Sequence, residues 1–202
     1  MKIRMLTAAD VKAALPMPKA IEAMKRAYVQ FSTGRSTVPL RTHVQTEKGV
    51  SLLMPAYLHD SRNLGVKIIS IYEDNPKQNL PTISATVMVL DPDTGFPLAL
   101  IDGGSLTAIR TGAGGGAAAD VLARKNSRNV ALFGAGVQAR TQLQAVLAVR
   151  DIAEVSIVDP FAAAAKRLAA EVAGWDNPPQ VFLDRTPGEA VQAADIVLTA
   201  TT

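Results

Sequence analysis

The chain has 202 residues, 48% of them hydrophobic and 4% aromatic, with a net charge of +3, which suits one large or two small domains with a real core. It contains no cysteine, so a disulfide frame, a thiolate nucleophile and a cysteine zinc site are excluded, and no metal site is expected. Scattered cations without interleaved aromatics argue against nucleic acid, and the lack of a signal peptide or of any ~18–20-residue apolar run argues for a soluble, cytoplasmic protein off the membrane.

Lys2 to Leu6 reads as a short strand. Thr7 then resembles an N-cap, with Asp10 three positions on and a helix to Leu15. Pro16 and Pro18 break the chain, and Pro18 suits the first turn of the next helix. Ala20, Ile21, Met24, Ala27, Tyr28 and Phe31 recur at helical spacing, which predicts an amphipathic helix over 19–32, stopped by Gly34, with those residues in the core. From Arg41 to Leu90 the pattern changes to strands (RTHVQTE, GVSLLMPAYL, LGVKIISIY, ISATVMVL) separated by turn residues, and DPDTG leads into a further strand, PLALID. Such an antiparallel sheet is distinct from the parallel one that the rest of the chain predicts.

Residues 105–125 form a helix pattern with four glycines in its first half, at 112, 114, 115 and 116. Each costs about 1 kcal/mol against Ala in a free helix, so something must press on that face. Helix-on-helix packing is the simpler account, and a ligand is the other. A polar linker, Lys125 to Arg128, leads to NVALFGAGVQARTQLQAVLAVRDIAEVSIVD, Asn129 to Asp159. Here a buried strand, Gly134, Gly136 and Ala139 at G-x-G-x-x-A spacing, a helix from Val137, and a second strand ending on Asp159 follow in the order of a dinucleotide-binding βαβ unit. The first glycine permits the tight turn, and the second lets a diphosphate approach backbone N–H groups at the helix N-terminus. Asp159 is placed to hold the adenosine ribose. A carboxylate there repels a 2′-phosphate, and Pro160 and Phe161 supply no cation to receive one, which favours NAD over NADP.

An Ala-rich helix (about 161–173), the strand QVFLD, a short helix from Pro187 to Ala193 and the strand DIVLTATT complete the chain. These are fewer strands than a doubly wound domain normally has, as expected of a shortened copy of a longer enzyme. Arg41, Lys67 and Arg110 are cations in apolar or tight contexts. Converging, they would suit a carboxylate, which Arg grips through paired hydrogen bonds and Lys meets as a point charge. By spacing alone, side chains ending in solvent is the stronger reading. His43 and His59 pair with no nucleophile, and Thr82, Ser84 and Thr86 fit the exposed face of a strand.

SLLMPAYL, GVKIISIYEDNPKQNLPTISA, DTGFPLALIDGGSLTAIRTGAGGGAAA and LFGAGVQA, with Gln138 inside the glycine turn, carry a resemblance over essentially the whole chain. The chain resembles the ornithine cyclodeaminase/mu-crystallin family, which also contains archaeal-type alanine dehydrogenases and cyclic imine reductases. The resemblance implies an α/β protein: a Rossmann-type, doubly wound NAD-binding domain (126–202, incomplete) plus an α+β substrate domain (1–125) that forms a homodimer through its sheet. It implies that Arg41, Lys67 and Arg110 hold the carboxylate of a small L-amino acid or cyclic imine. Lys67 and Arg110 become the catalytic pair, Lys67 also polarising the imine or activating water. Thr82, Arg110 and Thr111 match positions near the nicotinamide and phosphates. Gly134, Ala135, Gly136, Val137 and Gln138 match the diphosphate turn, Asp159 the ribose acid, and Thr201 a position against the cofactor. The family's later part, including an aspartate used in proton transfer, lies beyond this sequence.

The family's type reaction converts L-ornithine to L-proline and ammonia by hydride transfer through an imine. Leu52 departs from that pattern, because ornithine cyclodeaminases place a Glu there for the distal ammonium. An alanine dehydrogenase or cyclic imine reductase is the alternative, and a non-catalytic small-ligand binder like the mu-crystallins, or an inactive fragment, is the rival from another class.

Overall fold

The computed structural model describes residues 2–201. The chain divides into two compact units, residues up to Pro16 with Lys25–Thr107, and Met17–Met24 with Ala108–Thr202. The division falls inside a helix, upstream of the 125/126 boundary read from the sequence.

In the first unit, β1 (Arg4–Leu6) leads to Thr7, which caps α1 (Ala8–Ala14) through a reciprocal box: Asp10 N donates to the Thr7 hydroxyl and Thr7 N to the Asp10 carboxylate, 2.8 Å. α2 (Met17–Ser32) follows, with Pro18 in its first turn and Gly34 at φ +71° just past its end. Ala20 and Ile21 are buried as the periodicity predicts, but Tyr28 and Phe31 are 50% and 61% exposed. The buried stripe fades as the helix passes, after Met24, from the second unit to the first.

Strands β2 (Ser36–Thr37), β3 (Thr42–Gln45), β4 (Val50–Leu58), β5 (Asn63–Ile71), β6 (Ile83–Leu90) and β7 (Pro97–Asp102) join β1 in a seven-stranded sheet of order β1-β7-β6-β5-β4-β2, with β3 also on β4. All pairings are antiparallel except that of β1 with β7. Pro55 is tolerated within β4 because β3 pairs as far as Leu53 and β2 resumes at Tyr57, leaving no ladder on that side for a missing N–H. Directly opposed residues share a face, so the register sorts the sheet. One face carries Leu52, Met54, Lys67, Ile69, Ala85, Val87, Ala99 and Ile101, and includes the buried Leu52 and Ala99. The other exposes Met5 (72%), Val44 (48%) and Ile68 (39%).

β7 ends on Asp102, whose carboxylate accepts from the Ser105 hydroxyl and from Ser105 N (2.8 Å). Those two donors hold its pKa below the ordinary carboxylate value. They also cap α3 (Gly103–Leu122). Within the second unit, packing explains Gly112 and Gly116 of α3. A Cβ on Gly112 would lie 2.4 Å from the Thr141 carbonyl oxygen, and one on Gly116 2.8 Å from Ala145 Cβ and 2.9 Å from Ile21 Cδ1. Thr141 and Ala145 belong to α4 (Val137–Leu147), so α3 and α4 meet backbone to backbone.

The second sheet consists of β8 (Asn129–Phe133), β9 (Glu154–Val158), β10 (Gln180–Phe182) and β11 (Ile196–Thr199), all parallel, in the order β10-β9-β8-β11. Strand order 3-2-1-4 is the start of the doubly wound pattern. Val130, Leu132, Val155 and Ile157 pack with Leu143 and Val146 of α4 and with Leu168 and Val172 of α5 (Ala162–Val172). A capping box, Thr186 with Glu189, starts α6 (Pro187–Ala193). Asp195 accepts from Arg128 N (2.8 Å), the Arg124 guanidinium (2.6 Å) and Asn129 N (3.0 Å), which ties the foot of β11 to β8 and depresses the Asp195 pKa. No helix among the described residues is long and apolar enough to cross a membrane.

Replacing Gly116 by Val should cost about 1–3 kcal/mol of stability by overpacking, measured by urea unfolding. An unchanged midpoint would mean that α3 and α4 do not meet as closely as described.

Candidate functional site

The turn after β8 is forced to be glycine. Gly134 has φ +95°, and a Cβ on it would lie 2.5 Å from the Ala200 carbonyl oxygen and 3.3 Å from Thr201 N. The same contact seats Thr201, just past β11, beside the glycine turn. β8 and β11 are the strands between which the order reverses, so the turn stands at the switch point where doubly wound sheets bind their ligands.

Gly134 N donates to Val158 O at 2.9 Å, and Ala135 N to Asp159 Oδ2 at 2.8 Å. Asp159 Oδ1 accepts from Phe161 N, also at 2.8 Å. The acid is thus locked to the turn by the backbone, with both oxygens turned to fixed donors. An ionised carboxylate offers about four acceptor sites, so two remain for ligand hydroxyls. Gly136 caps α4, and nothing lies within 4 Å of where its Cβ would be. The helix therefore starts beside open space, with the N–H groups of Val137 and Gln138 in its first turn. Gln138 Oε1 is buried and has no partner among the described residues, which is uncommon for a buried acceptor and typical of a site whose ligand completes it. Next to Asp159 lies a cavity of about 190 Å³ lined by Ala162, Ala165, Lys166, Leu183 and Arg185. These features fit a dinucleotide.

Arg110 is exposed and Thr111 half-buried on α3, in the second unit. The contacts Gly112–Thr141 and Gly116–Ala145 keep a constant offset, so one turn further back the segment bearing Arg110 and Thr111 runs beside the first turn of α4. Packing, which the sequence could only offer as one of two accounts of the glycines, is what brings these residues to the level of the turn.

In the first unit, Lys67 is half-buried on β5, opposite Met54 on one side and Val87 on the other. Thr42, opposite Leu53, is the first paired residue of β3, and Arg41 is the exposed residue just before it. The next row on the face of Lys67 is His43, Leu52, Ile69 and Ala85. No Asp or Glu stands on this face of the paired strands. Thr82 is not a neighbour of Lys67. It precedes β6 and lies five residues before Val87, about 17 Å along the strand, with its carbonyl accepting from Tyr72 N at 2.9 Å. Arg41, Lys67 and Thr82 belong to the first unit, and the remaining candidates to the second. Among the described residues no group of three or more His, Asp or Glu is placed to hold a metal ion.

The second unit's strand order, glycine turn, dipole-bearing helix and terminal acid define a Rossmann-type nucleotide-binding protein of the α/β class. The chain belongs to the ornithine cyclodeaminase/mu-crystallin family, whose model matches residues 1–202. It is 34% identical over 201 residues to the alanine dehydrogenase of Archaeoglobus fulgidus, covering 100% of this chain and 61% of that protein. The structure of Thermococcus litoralis Delta(1)-pyrroline-2-carboxylate reductase in complex with NADH and L-proline superposes with a TM-score of 0.89 at 40% identity, over 99% of this chain and 62% of that one. An archaeal alanine dehydrogenase dimer with bound NAD gives a TM-score of 0.88 at 36% identity, over 100% and 61%. The chain thus spans about three fifths of the length of the relatives it matches.

Replacing Asp159 by Ala removes both the acceptor of the Ala135 N–H and the expected ribose contact. NADH affinity, followed by fluorescence titration, should fall about 10- to 100-fold, the worth of charged hydrogen bonds. Unchanged binding would remove Asp159 from the site.

Proposed function

We propose that the protein transfers a hydride between a nicotinamide dinucleotide, NAD before NADP, and the α-carbon of a small L-amino acid or its imine, as an amino-acid dehydrogenase or cyclic imine reductase. The observation that carries the choice is Lys67 on β5 between Met54 and Val87, on a face whose paired strands carry no acid. A cation there, with Arg41 joining it as the family resemblance implies, suits a substrate carboxylate, and the surrounding Leu52, Met54, Ile69 and Val87 suit an apolar or cyclic side chain. A diamine such as ornithine finds no carboxylate on that face for its distal ammonium, so the family's type reaction, ornithine to proline and ammonia, is the less favoured reading.

In this reading the backbone of Gly134 to Gln138 and the start of α4 hold the diphosphate, Asp159 the ribose, and the adjoining cavity the adenine. Thr201, Thr82 and Thr111 serve the nicotinamide half. Bound there, the dinucleotide supplies or accepts the hydride. Arg41, Lys67 and Arg110 fix the carboxylate and so aim the α-carbon, and the Lys67 ammonium also draws electron density from the imine nitrogen. Fixed orientation and charge supply most of the rate. NADH in complex with the reductase and NAD in the alanine dehydrogenase support the cofactor assignment. The dimeric state of the alanine dehydrogenase supports a homodimer, for which the exposed Met5, Val44 and Ile68 face offers an apolar surface.

The test offers L-ornithine, L-lysine, L-alanine, L-proline and a cyclic imine to the protein with NAD(H) and NADP(H). Net NAD reduction by alanine or proline, or NADH consumption by the imine, is expected, together with loss of about 100-fold or more in kcat/KM for Arg110→Ala at an unchanged fold. Ammonia and proline from ornithine without net NADH would establish the cyclodeaminase instead, and saturable binding without turnover a ligand binder. Ile68→Glu should convert a dimer to a monomer in light scattering. A dimer that persists would place the interface elsewhere.

A further inference from the structure

Arg150 lies between α4 and β9, in the apolar context AVLAVRDIA, and its side chain is only 3% exposed. A guanidinium buried to that degree is costly unless all five N–H groups find acceptors. Here they do. Nε donates to Arg124 O (3.1 Å), Nη1 to Val149 O (2.7 Å) and Asp120 Oδ1 (3.1 Å), and Nη2 to Ala119 O, Asp120 O and Ala123 O (each 2.9 Å). Apart from Val149, every acceptor belongs to the last turn of α3 or the residues just after it. All but the Asp120 carboxylate are main-chain carbonyls at the negative end of the helix dipole, so the cation plugs the C-terminus of α3.

α3 is thereby held on the second unit in two ways. Gly112 and Gly116 set how closely it approaches α4, and a smooth glycine surface resists sliding poorly. Arg150 sets how far along α4 it sits. A helix is stiff, so a slip of one residue at its end moves Arg110, about 14 Å away along the axis, by the same ~1.5 Å. Displacements of that size in a group that aims a reacting atom cost on the order of 100-fold.

We infer that Arg150 is a positioning residue that sets the axial register of α3 and, through it, the place of Arg110. The inference rests on the proposed role of Arg110 in holding the substrate carboxylate. The plug itself is independent of any ligand.

A double-mutant cycle on the intact protein tests it, with NADH affinity read by fluorescence and L-proline affinity read on the NADH complex. Arg150→Met should leave NADH affinity within about threefold and weaken L-proline about tenfold or more, while in an Arg110→Ala background the same change should cost less than about twofold further. Arg150→Lys, which keeps the charge but not the fork, should fall between the two and serves the same comparison if the Met variant does not fold. Additive losses, or NADH and L-proline affinities falling in proportion, would show a general staple and overturn the inference. A parent protein that binds no NADH would overturn the proposed function and the inference with it. One that binds NADH and L-proline, with Arg150 variants indistinguishable from it, would overturn the inference alone.

Discussion

A helix that gives up its side chains where it meets another sets the geometry of the second unit. At Gly112 and Gly116 the backbone of α3 touches α4 so closely that a single Cβ would collide with Thr141 or Ala145. Isolated, such a run is a poor helix former. Packed, it lets two helices share one level, so that residues near the middle of α3 lie beside the amides that open α4. Arg150 closes the far end of the same helix with six hydrogen bonds. Close approach and a polar plug are complementary constraints, one lateral and one axial.

The glycine turn shows the same economy. Asp159 both ends β9 and holds Ala135 N, so the acid expected to meet a ribose is also what gives the turn its shape. Gly134 leans on the carbonyl of Ala200, which ties the turn to β11 across the switch point. Past Gly136 the first turn of α4 opens beside free space, the arrangement in which a helix N-terminus suits an anion.

In the first unit, chemistry is set by register rather than by a loop. Because the side-chain period of a strand is two, a one-residue slip would send Lys67 to the open face and bring Ile68 among the buried residues. The ladder from β4 to β7 holds Lys67 between Met54 and Val87.

Local chemistry alone was enough to read the capping box at Thr7, the stop at Gly34, the strands of the first sheet with their turns, and the unit from Asn129 to Asp159, because caps, turns and periodicity act within a few residues. The family resemblance then named Arg41, Lys67 and Arg110 together, which spacing could not. Tertiary structure decided what depends on partners distant in sequence. It chose helix packing as the reason for Gly112 and Gly116, left Tyr28 and Phe31 exposed where periodicity put them inside, paired β1 in parallel with β7, set Thr82 far down the strand from Lys67, and buried Arg150 against a helix end that no pattern in AVLAVRDIA announces. Each of these turns on which surfaces meet, and a linear pattern of apolar and polar residues records that a face is covered without recording by what.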